Sequence, residues 1–255
     1  MTPGFAKSRK ELFWLPYPEP DKVIINAHNF TPAGPGMIGD EIGVWSPTWD
    51  DSGNGTTTLS DLVGSDDGVL TNMDAASDWV SDTASGGVRA LDFDGSNDFV
   101  AVTRASTTPA ELTLMAWVKT TASGSRRGII AFGTMGENAY IDLMPTGIIR
   151  CAVEANNSLF NFRDSSGVVN TGSWFHVAMT ATVSTVKVYV NGVDVTTGGG
   201  SGGSSSSLRS RSITIGKGLG GSYGGQYSGL IDTCRLYHRA LTSGEIATNA
   251  ASRGY

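Results

Sequence analysis

The chain has 255 residues, of which 34 are glycine and 16% are charged, and its formal net charge is −6. This length fits one large β domain or two small ones, and the glycine content favours short strands joined by tight turns over a helical protein. The negative charge argues against nucleic acid as the main partner, because backbone phosphates would be repelled. No apolar run approaches the roughly 18 residues that a membrane-spanning helix needs.

Residues 1–40 are predicted to form an extended N-terminal arm, followed by one folded domain at 41–255. The arm contains the aromatic and proline-rich run LFWLPYPEP, which favours a polyproline-like conformation. Such an arm cannot bury the rings of Phe13, Trp14 and Tyr17 within itself. The rings either pack back on the arm's own domain or dock on another chain.

The first twenty residues also bear on where the protein acts. They include basic side chains, but no continuous apolar core followed by a small-residue cleavage site, so they do not form a secretory signal. We therefore expect the chain to stay in the cytoplasm, to leave by lysis or assembly, or to be a mature form.

The clearest strand pattern lies in Trp174–Gly192. Apolar residues alternate with other residues in WFHVAMTAT and again in VKVYV, at the period of two that a strand requires. The polar break Thr182–Thr185 separates the two runs, and Asn191-Gly192 supplies the next turn. We predict a hairpin that feeds a third strand at Val193–Val195. Further strands are predicted in Ile42–Trp49, Ala90–Val102 (two strands around an acidic turn), Leu112–Lys119, Gly128–Phe132, Ala139–Met144, Gly147–Val153, Leu159–Arg163, Ile213–Lys217 and Gly229–Tyr237.

The last sixty residues contain a low-complexity stretch and a helix. The segment Thr196–Ser207 is rich in glycine and serine, and we predict a long surface loop because too little chain follows it for a second core. Thr242-Ser243-Gly244-Glu245 fits a capping box, with Thr242 as N-cap and Glu245 reaching back to it. It predicts a short C-terminal helix.

The order of these segments resembles the laminin-G-like, concanavalin-A-like jelly roll in its pentraxin-related branch. The resemblance rests on ALDFDGSNDFV, LTLMAWVK, WFHVAMT, VKVYVNG, ITIGK and YSGLIDTCRLYHRALTSGEI, and it extends over roughly residues 41–250. It implies an all-β fold, a two-sheet antiparallel β-sandwich. It does not specify a function, because this sandwich occurs in lectins, adhesion modules, enzymes and virion proteins.

The sequence gives little sign of catalysis. Glycoside hydrolysis needs two carboxyl groups about 5–10 Å apart, and the Glu-x-Asp-x-Glu strand pattern of this fold's hydrolases is absent. Asp142 and Glu154 are isolated in the sequence. His28, His176 and His238 lack partners at metal or triad spacing. We predict no enzymatic activity.

The two cysteines, Cys151 and Cys234, both fall in predicted strands. Buried thiols that act as small apolar side chains are the favoured interpretation. A disulfide between them stays open, because its geometry cannot be tested from sequence.

Calcium is the one cofactor for which the sequence offers candidates. Hard cations bind carboxylate and carbonyl oxygens, which acidic turns supply, and the resemblance implies a structural calcium held by Asp66, Asp67, Asp98 and Asp232. An EF-hand starting at Asp92 is excluded, because Thr103 occupies its twelfth position. The favoured alternative is that these aspartates cap turns by accepting backbone N–H bonds.

Carbohydrate binding would use exposed aromatic rings beside polar groups. Tyr223 and Tyr227 in GGSYGGQYSG are the candidates, since flanking glycines can expose their rings. The alternative is a turn with two partly buried tyrosines.

Two functions remain. The first is a structural decoration protein of a phage virion, on the capsid or tail surface, whose arm binds other virion proteins or copies of itself. The second is a carbohydrate-binding or adhesion module of a secreted or surface protein, with surface glycans as partners and an extracellular location.

Overall fold

The computed structural model describes residues 37–82, 88–134, 137–155, 159–182, 184–201, 210–219 and 224–252. The rings predicted to dock from the arm, Phe13, Trp14 and Tyr17, lie outside these residues, as does Tyr223. At the end of the predicted arm, Ile38 packs on the folded domain and Asp40 pairs with Arg239 at 2.5 Å.

The described strands form two antiparallel sheets. The first has eight strands, in the order β14 (Val193–Asp194), β13 (Val186–Val190), β12 (Trp174–Thr182), β7 (Glu111–Lys119), β17 (Ser228–Tyr237), β5 (Val88–Asp94) and β4 (Trp79–Asp82), with β1 (Gly43–Trp45) also paired to β17. The second has nine, in the order β15 (Thr196–Ser201), β11 (Leu159–Val168), β10 (Ile148–Ala155), β9 (Glu137–Leu143), β8 (Arg127–Thr134), β16 (Ser210–Ile215), β6 (Phe99–Thr107), β3 (Gly68–Thr71) and β2 (Thr58–Leu59).

The apolar core lies between the two sheets, as the alternation predicts. In β7 the residues Leu112, Leu114, Ala116 and Val118 are fully buried. In the neighbouring β12, Met179 lies opposite Leu114 and is also fully buried. Burial of apolar area on this scale, at about 25 cal/mol per Å², is the main force that holds the sheets together. The predicted β-sandwich is confirmed.

The central hairpin forms where it was predicted. Met179 pairs with Val188 and Ala181 pairs with Val186. Asn191 adopts a φ of 50°, as the turn requires. The first strand is shorter than predicted, because β1 ends at Trp45. A turn follows it, in which Asp50 N donates a hydrogen bond to Ser46 O at 2.9 Å. The strand cannot continue as a paired strand because Pro47 has no N–H to donate.

The prediction of a loop at Thr196–Ser207 is wrong for its first half. Residues 196–201 form the edge strand β15, which pairs with β11 between Asp164 and Thr197. A side chain on Gly200 would place its Cβ 2.8 Å from the ring of Phe162. Glycine therefore allows the edge backbone to approach a large ring, which is a structural use of glycine that resembles a linker in sequence. Residues 202–207 lie outside the described part.

The C-terminal helix α1 (Ser243–Ala251) begins as predicted, with both hydrogen bonds of the capping box between Thr242 and Glu245. It packs on the outer face of the eight-stranded sheet through Ile246, in a cluster with Met115 and Tyr237. Cys151 and Cys234 are buried and free, so the favoured interpretation of two buried thiols is confirmed. Burial raises the pKa of both thiols.

Candidate functional site

Tyr227 does not offer its ring to a ligand. The ring is fully buried and lies edge-on to Phe93, with 6.3 Å between ring centroids. The backbone explains this orientation, because Tyr227 N donates to Gly216 O at 2.8 Å and Gln226 pairs with Lys217. The flanking glycines thus continue a sheet instead of exposing a turn. The prediction of an exposed Tyr227 is wrong.

The two acidic residues before β3 have protein partners. Asp67 Oδ1 accepts a hydrogen bond from the backbone N–H of Asp61 at 2.8 Å. Asp66 Oδ2 pairs with Arg104 Nε at 3.0 Å. These are contacts that organise a turn and bind it to β6.

The other two calcium candidates are also engaged. Asp98 Oδ2 accepts from the backbone N–H of Asp94 at 2.9 Å. Asp232 is fully buried and accepts from Thr48 Oγ1 at 2.9 Å. Within the described ranges, no group of three or more His, Cys, Asp or Glu side chains is placed to hold a metal ion. The structure therefore does not bring these four aspartates together as a calcium site.

A charged cluster lies on the outer face of the nine-stranded sheet. Arg126 Nε donates to Asp142 Oδ2 at 2.7 Å, and Arg150 binds Asp164 through both carboxylate oxygens at 2.7 and 2.8 Å. The guanidinium of Arg126 also lies over the ring of Tyr140, 5.2 Å from its centroid. Asp142 is thus not isolated, although its partners are distant in sequence.

The geometry of this charged cluster does not suit glycoside hydrolysis. Asp142 pairs in register with Arg150, which lies four residues before Glu154 on the same face of β10. At about 3.3 Å per residue the backbone positions of Asp142 and Glu154 are roughly 13 Å apart along the strands, whereas hydrolysis requires carboxyl groups within about 5–9.5 Å of each other. Asp142 is also only 1% exposed. Burial raises its pKa to about 7, against the opposing effect of the Arg126 and Arg150 charges.

An open groove lies on the outer face of the eight-stranded sheet, at the end opposite α1. Leu230 pairs with Lys119 of β7 and with Asp92 of β5, so three strands bring these side chains together. The cavity has a volume of about 350 Å³. Its lining consists of Asp92, Lys119, Thr120, Thr121, Ala122, Gly172, Ser228, Gly229 and Leu230.

Backbone contacts fix the floor of the groove. Thr120 Oγ1 donates to Ser228 O at 2.6 Å and accepts from Ala122 N at 2.9 Å. A Cβ on Gly229 would lie 2.4 Å from Lys119 O, and the φ of 124° at this position is also one that glycine accommodates. The groove is therefore formed before any ligand arrives.

The polar groups of the groove differ in their partners. Lys119 Nζ pairs with Asp82 Oδ2 at 2.9 Å, and the same oxygen accepts from Trp174 Nε1. Asp92 is exposed and forms no ion pair with the described residues. Partial burial and the nearby charges of Asp78 and Asp94 raise the pKa of Asp92. The groove thus presents a carboxylate, an ammonium group and hydroxyls around a small apolar patch.

The local sequence does not reveal this groove, for a physical reason. Asp92 and Lys119 each follow the outward-facing pattern of their own strands, which is a signal shared by every solvent-facing residue. Their approach to Ser228 depends on β17 lying between β5 and β7, which no local pattern specifies.

No helix in the described part of the chain is long and apolar enough to cross a membrane.

Comparison with protein families gives one match: a model described as the concanavalin A-like lectin/glucanases superfamily (Laminin_G_3) matches residues 94–247. Comparison with curated proteins gives no match.

Solved structures with the same fold include carbohydrate-bound domains. Domain 4 of AbnA, a GH43 extracellular arabinanase from Geobacillus stearothermophilus in complex with arabinotriose, is 20% identical with a TM-score of 0.60, and the match covers 83% of this chain and 98% of that domain. The ligand binding domain of botulinum neurotoxin serotype D in complex with N-acetylneuraminic acid is 13% identical with a TM-score of 0.59, covering 84% of this chain and 51% of that one.

A SAP-like heptameric pentraxin from Limulus polyphemus is also similar. It is 18% identical with a TM-score of 0.50, and the match covers 64% of this chain and 82% of the pentraxin. At these identities the likeness concerns the fold. The predicted laminin-G-like, concanavalin-A-like resemblance is confirmed by the family match, and the pentraxin shares the fold.

Proposed function

We propose a carbohydrate-binding function for this chain, which belongs to the concanavalin A-like lectin/glucanases superfamily through residues 94–247. The proposed sugar site is the groove formed by β5, β7 and β17. The function is binding without catalysis, and the partner is a glycan outside the cell.

The observation that carries this proposal is the shape and chemistry of the groove. Its volume of about 350 Å³ falls within the range of about 300–1,000 Å³ that is typical of small-molecule sites. Asp92 can accept hydrogen bonds from two sugar hydroxyls, while Lys119 and Thr121 can donate to sugar oxygens. Leu230 and Ala122 provide an apolar surface for the C–H face of a pyranose or furanose ring.

The solved structures support the proposal by their ligands. The arabinanase domain binds arabinotriose and the toxin domain binds N-acetylneuraminic acid. Sugar binding is thus compatible with this sandwich at the level of the fold. The residues used by this chain follow from its own groove and not from theirs.

Replacing Asp92 with alanine should weaken glycan binding at least about ten-fold, because one hydrogen bond to a charged group contributes about 1.5–3 kcal/mol. Binding is measured by calorimetry, using the strongest ligand found for the intact chain on a glycan array. Asp194→Ala is the matched control, since Asp194 is an exposed strand aspartate outside the groove. A blank array for the intact chain would contradict the proposal, as would equal affinities of the two variants.

The virion role stays a prediction supported by the aromatic arm alone. Because Ile38 and Asp40 contact the folded domain, the informative truncation removes residues 1–36. On the virion hypothesis the truncated chain should keep its melting temperature and lose self-assembly or incorporation into particles, measured by light scattering after size exclusion. A monomeric full-length chain that also fails to join particles would rule this role out.

A further inference from the structure

The charges that surround the groove are not balanced. Among the residues that line it, Asp92 and Lys119 are the charged ones. The ammonium group of Lys119 is already neutralised by Asp82, whose side chain is only 7% exposed. Asp92 therefore supplies the one uncompensated charge of the groove lining.

The surroundings of Asp92 strengthen its negative potential. The backbone N–H of Asp92 donates to Asp78 O at 2.9 Å, which places Asp78 on the adjacent chain segment. Asp94 lies two residues further along the same strand face. The repulsion between these carboxylates is visible in the raised pKa of Asp92, to which burial, Asp78 and Asp94 contribute in that order.

One further cation, Arg127 of β8, approaches the turn that follows β5. Arg127 approaches Gly95, but its Nη1 donates to Gln226 O at 3.0 Å and its side chain does not line the groove. The single positive charge of Arg127 is outnumbered by the carboxylates of Asp78, Asp92 and Asp94, so the potential at Asp92 stays negative.

We infer that the groove selects neutral glycans and rejects those that present a carboxylate or sulfate group to it. This inference rests on the proposed carbohydrate-binding function. A neutral sugar gives Asp92 hydroxyl donors, whereas an anionic substituent would meet the carboxylate of Asp92 and be repelled by it and by the nearby charges of Asp78 and Asp94. The toxin domain with N-acetylneuraminic acid shares the fold with this chain, and we expect the ligand preference of this chain to differ.

The test compares matched pairs of glycans that differ only in one anionic group: lactose with 3′-sialyllactose, and neutral array glycans with their sulfated or uronic acid forms. At low salt the neutral member should bind about ten-fold more tightly than the anionic member. Asp92→Asn keeps the shape of the side chain and removes its charge, so it should reduce the ratio of neutral-glycan affinity to anionic-glycan affinity. Asp194→Asn changes the net charge equally and should leave the ratio unchanged.

The possible outcomes separate the two proposals. Tighter or equal binding of the anionic members by the intact chain overturns the inference and leaves the carbohydrate-binding function in place. An unchanged ratio in Asp92→Asn overturns it as well. Binding of no glycan in either set overturns the proposed function together with the inference.

Discussion

Replacing Arg235 with alanine is expected to lower the free energy of unfolding by about 4 kcal/mol. Arg235 projects from β17 on the outer face of the eight-stranded sheet and is 1% exposed. Its Nη1 donates to Asn249 Oδ1 of α1, and its guanidinium lies 5.2 Å from the ring centroid of Trp49. The side chain thus links the C-terminal helix to the sheet and to the turn after β1.

The loss has two physical sources. Truncation would leave a cavity between α1 and the sheet, and incomplete collapse around such cavities makes large-to-small substitutions costly. It would also leave buried Asn249, which is 1% exposed, without its charged donor. The bond from Tyr237 Oη to the same Asn249 oxygen, at 3.3 Å, is too long to replace it.

Chemical denaturation measures the change in the free energy of unfolding. The comparison is valid when the wild type and the variant have the same m-value, the slope of this free energy against denaturant concentration. Lys187→Ala is the control, since Lys187 forms an ion pair whose lysine is 54% exposed, and such pairs contribute less than about 1 kcal/mol. Arg235→Met keeps most of the volume and should recover about half of the loss. A loss below about 1 kcal/mol in Arg235→Ala would show that apolar packing alone holds α1 in place.

The second large effect is a dependence of stability on pH that requires Asp142. Burial raises the pKa of Asp142 to about 7, against the lowering effect of Arg126 and Arg150. The unfolded chain releases this proton near the ordinary value of about 3.9. Between these two values the native protein binds more protons than the unfolded chain, so the stability must fall as pH rises.

We expect the free energy of unfolding of the wild type to fall as the pH rises from 5 to 8. Measured against Asp142→Asn, this fall should be about 3 kcal/mol. Asparagine resembles the protonated acid and does not titrate. The measurement is denaturation of both proteins at several pH values in this window. Asp194→Asn is the control at an exposed site. Its free energy of unfolding should differ from that of the wild type by the same small amount at every pH in this window. Parallel curves for wild type and Asp142→Asn would disprove the role of Asp142.

The fold was predictable because its signals are local. Alternation in β7, β12 and β13 places apolar side chains on one face of each strand through the geometry of the extended backbone. The capping box at Thr242 depends on two residues three positions apart, so the start of the helix can also be predicted from the local sequence. Two local signals led to wrong predictions: glycine in β15 indicated a surface loop, and glycine beside Tyr227 indicated an exposed ring. In both places neighbouring strands supply hydrogen bonds that the local sequence does not reveal.

By itself the sequence determined which faces of the strands are apolar, and with that a sandwich of the concanavalin-A-like type. Only the tertiary structure decided what lies on the outer faces. Asp92, Lys119 and Ser228 meet because β17 pairs with both β5 and β7, across separations of more than a hundred residues. The reason is that pairing order follows from burial of the whole core, whereas each outward-facing polar residue carries the same local pattern wherever its strand is placed.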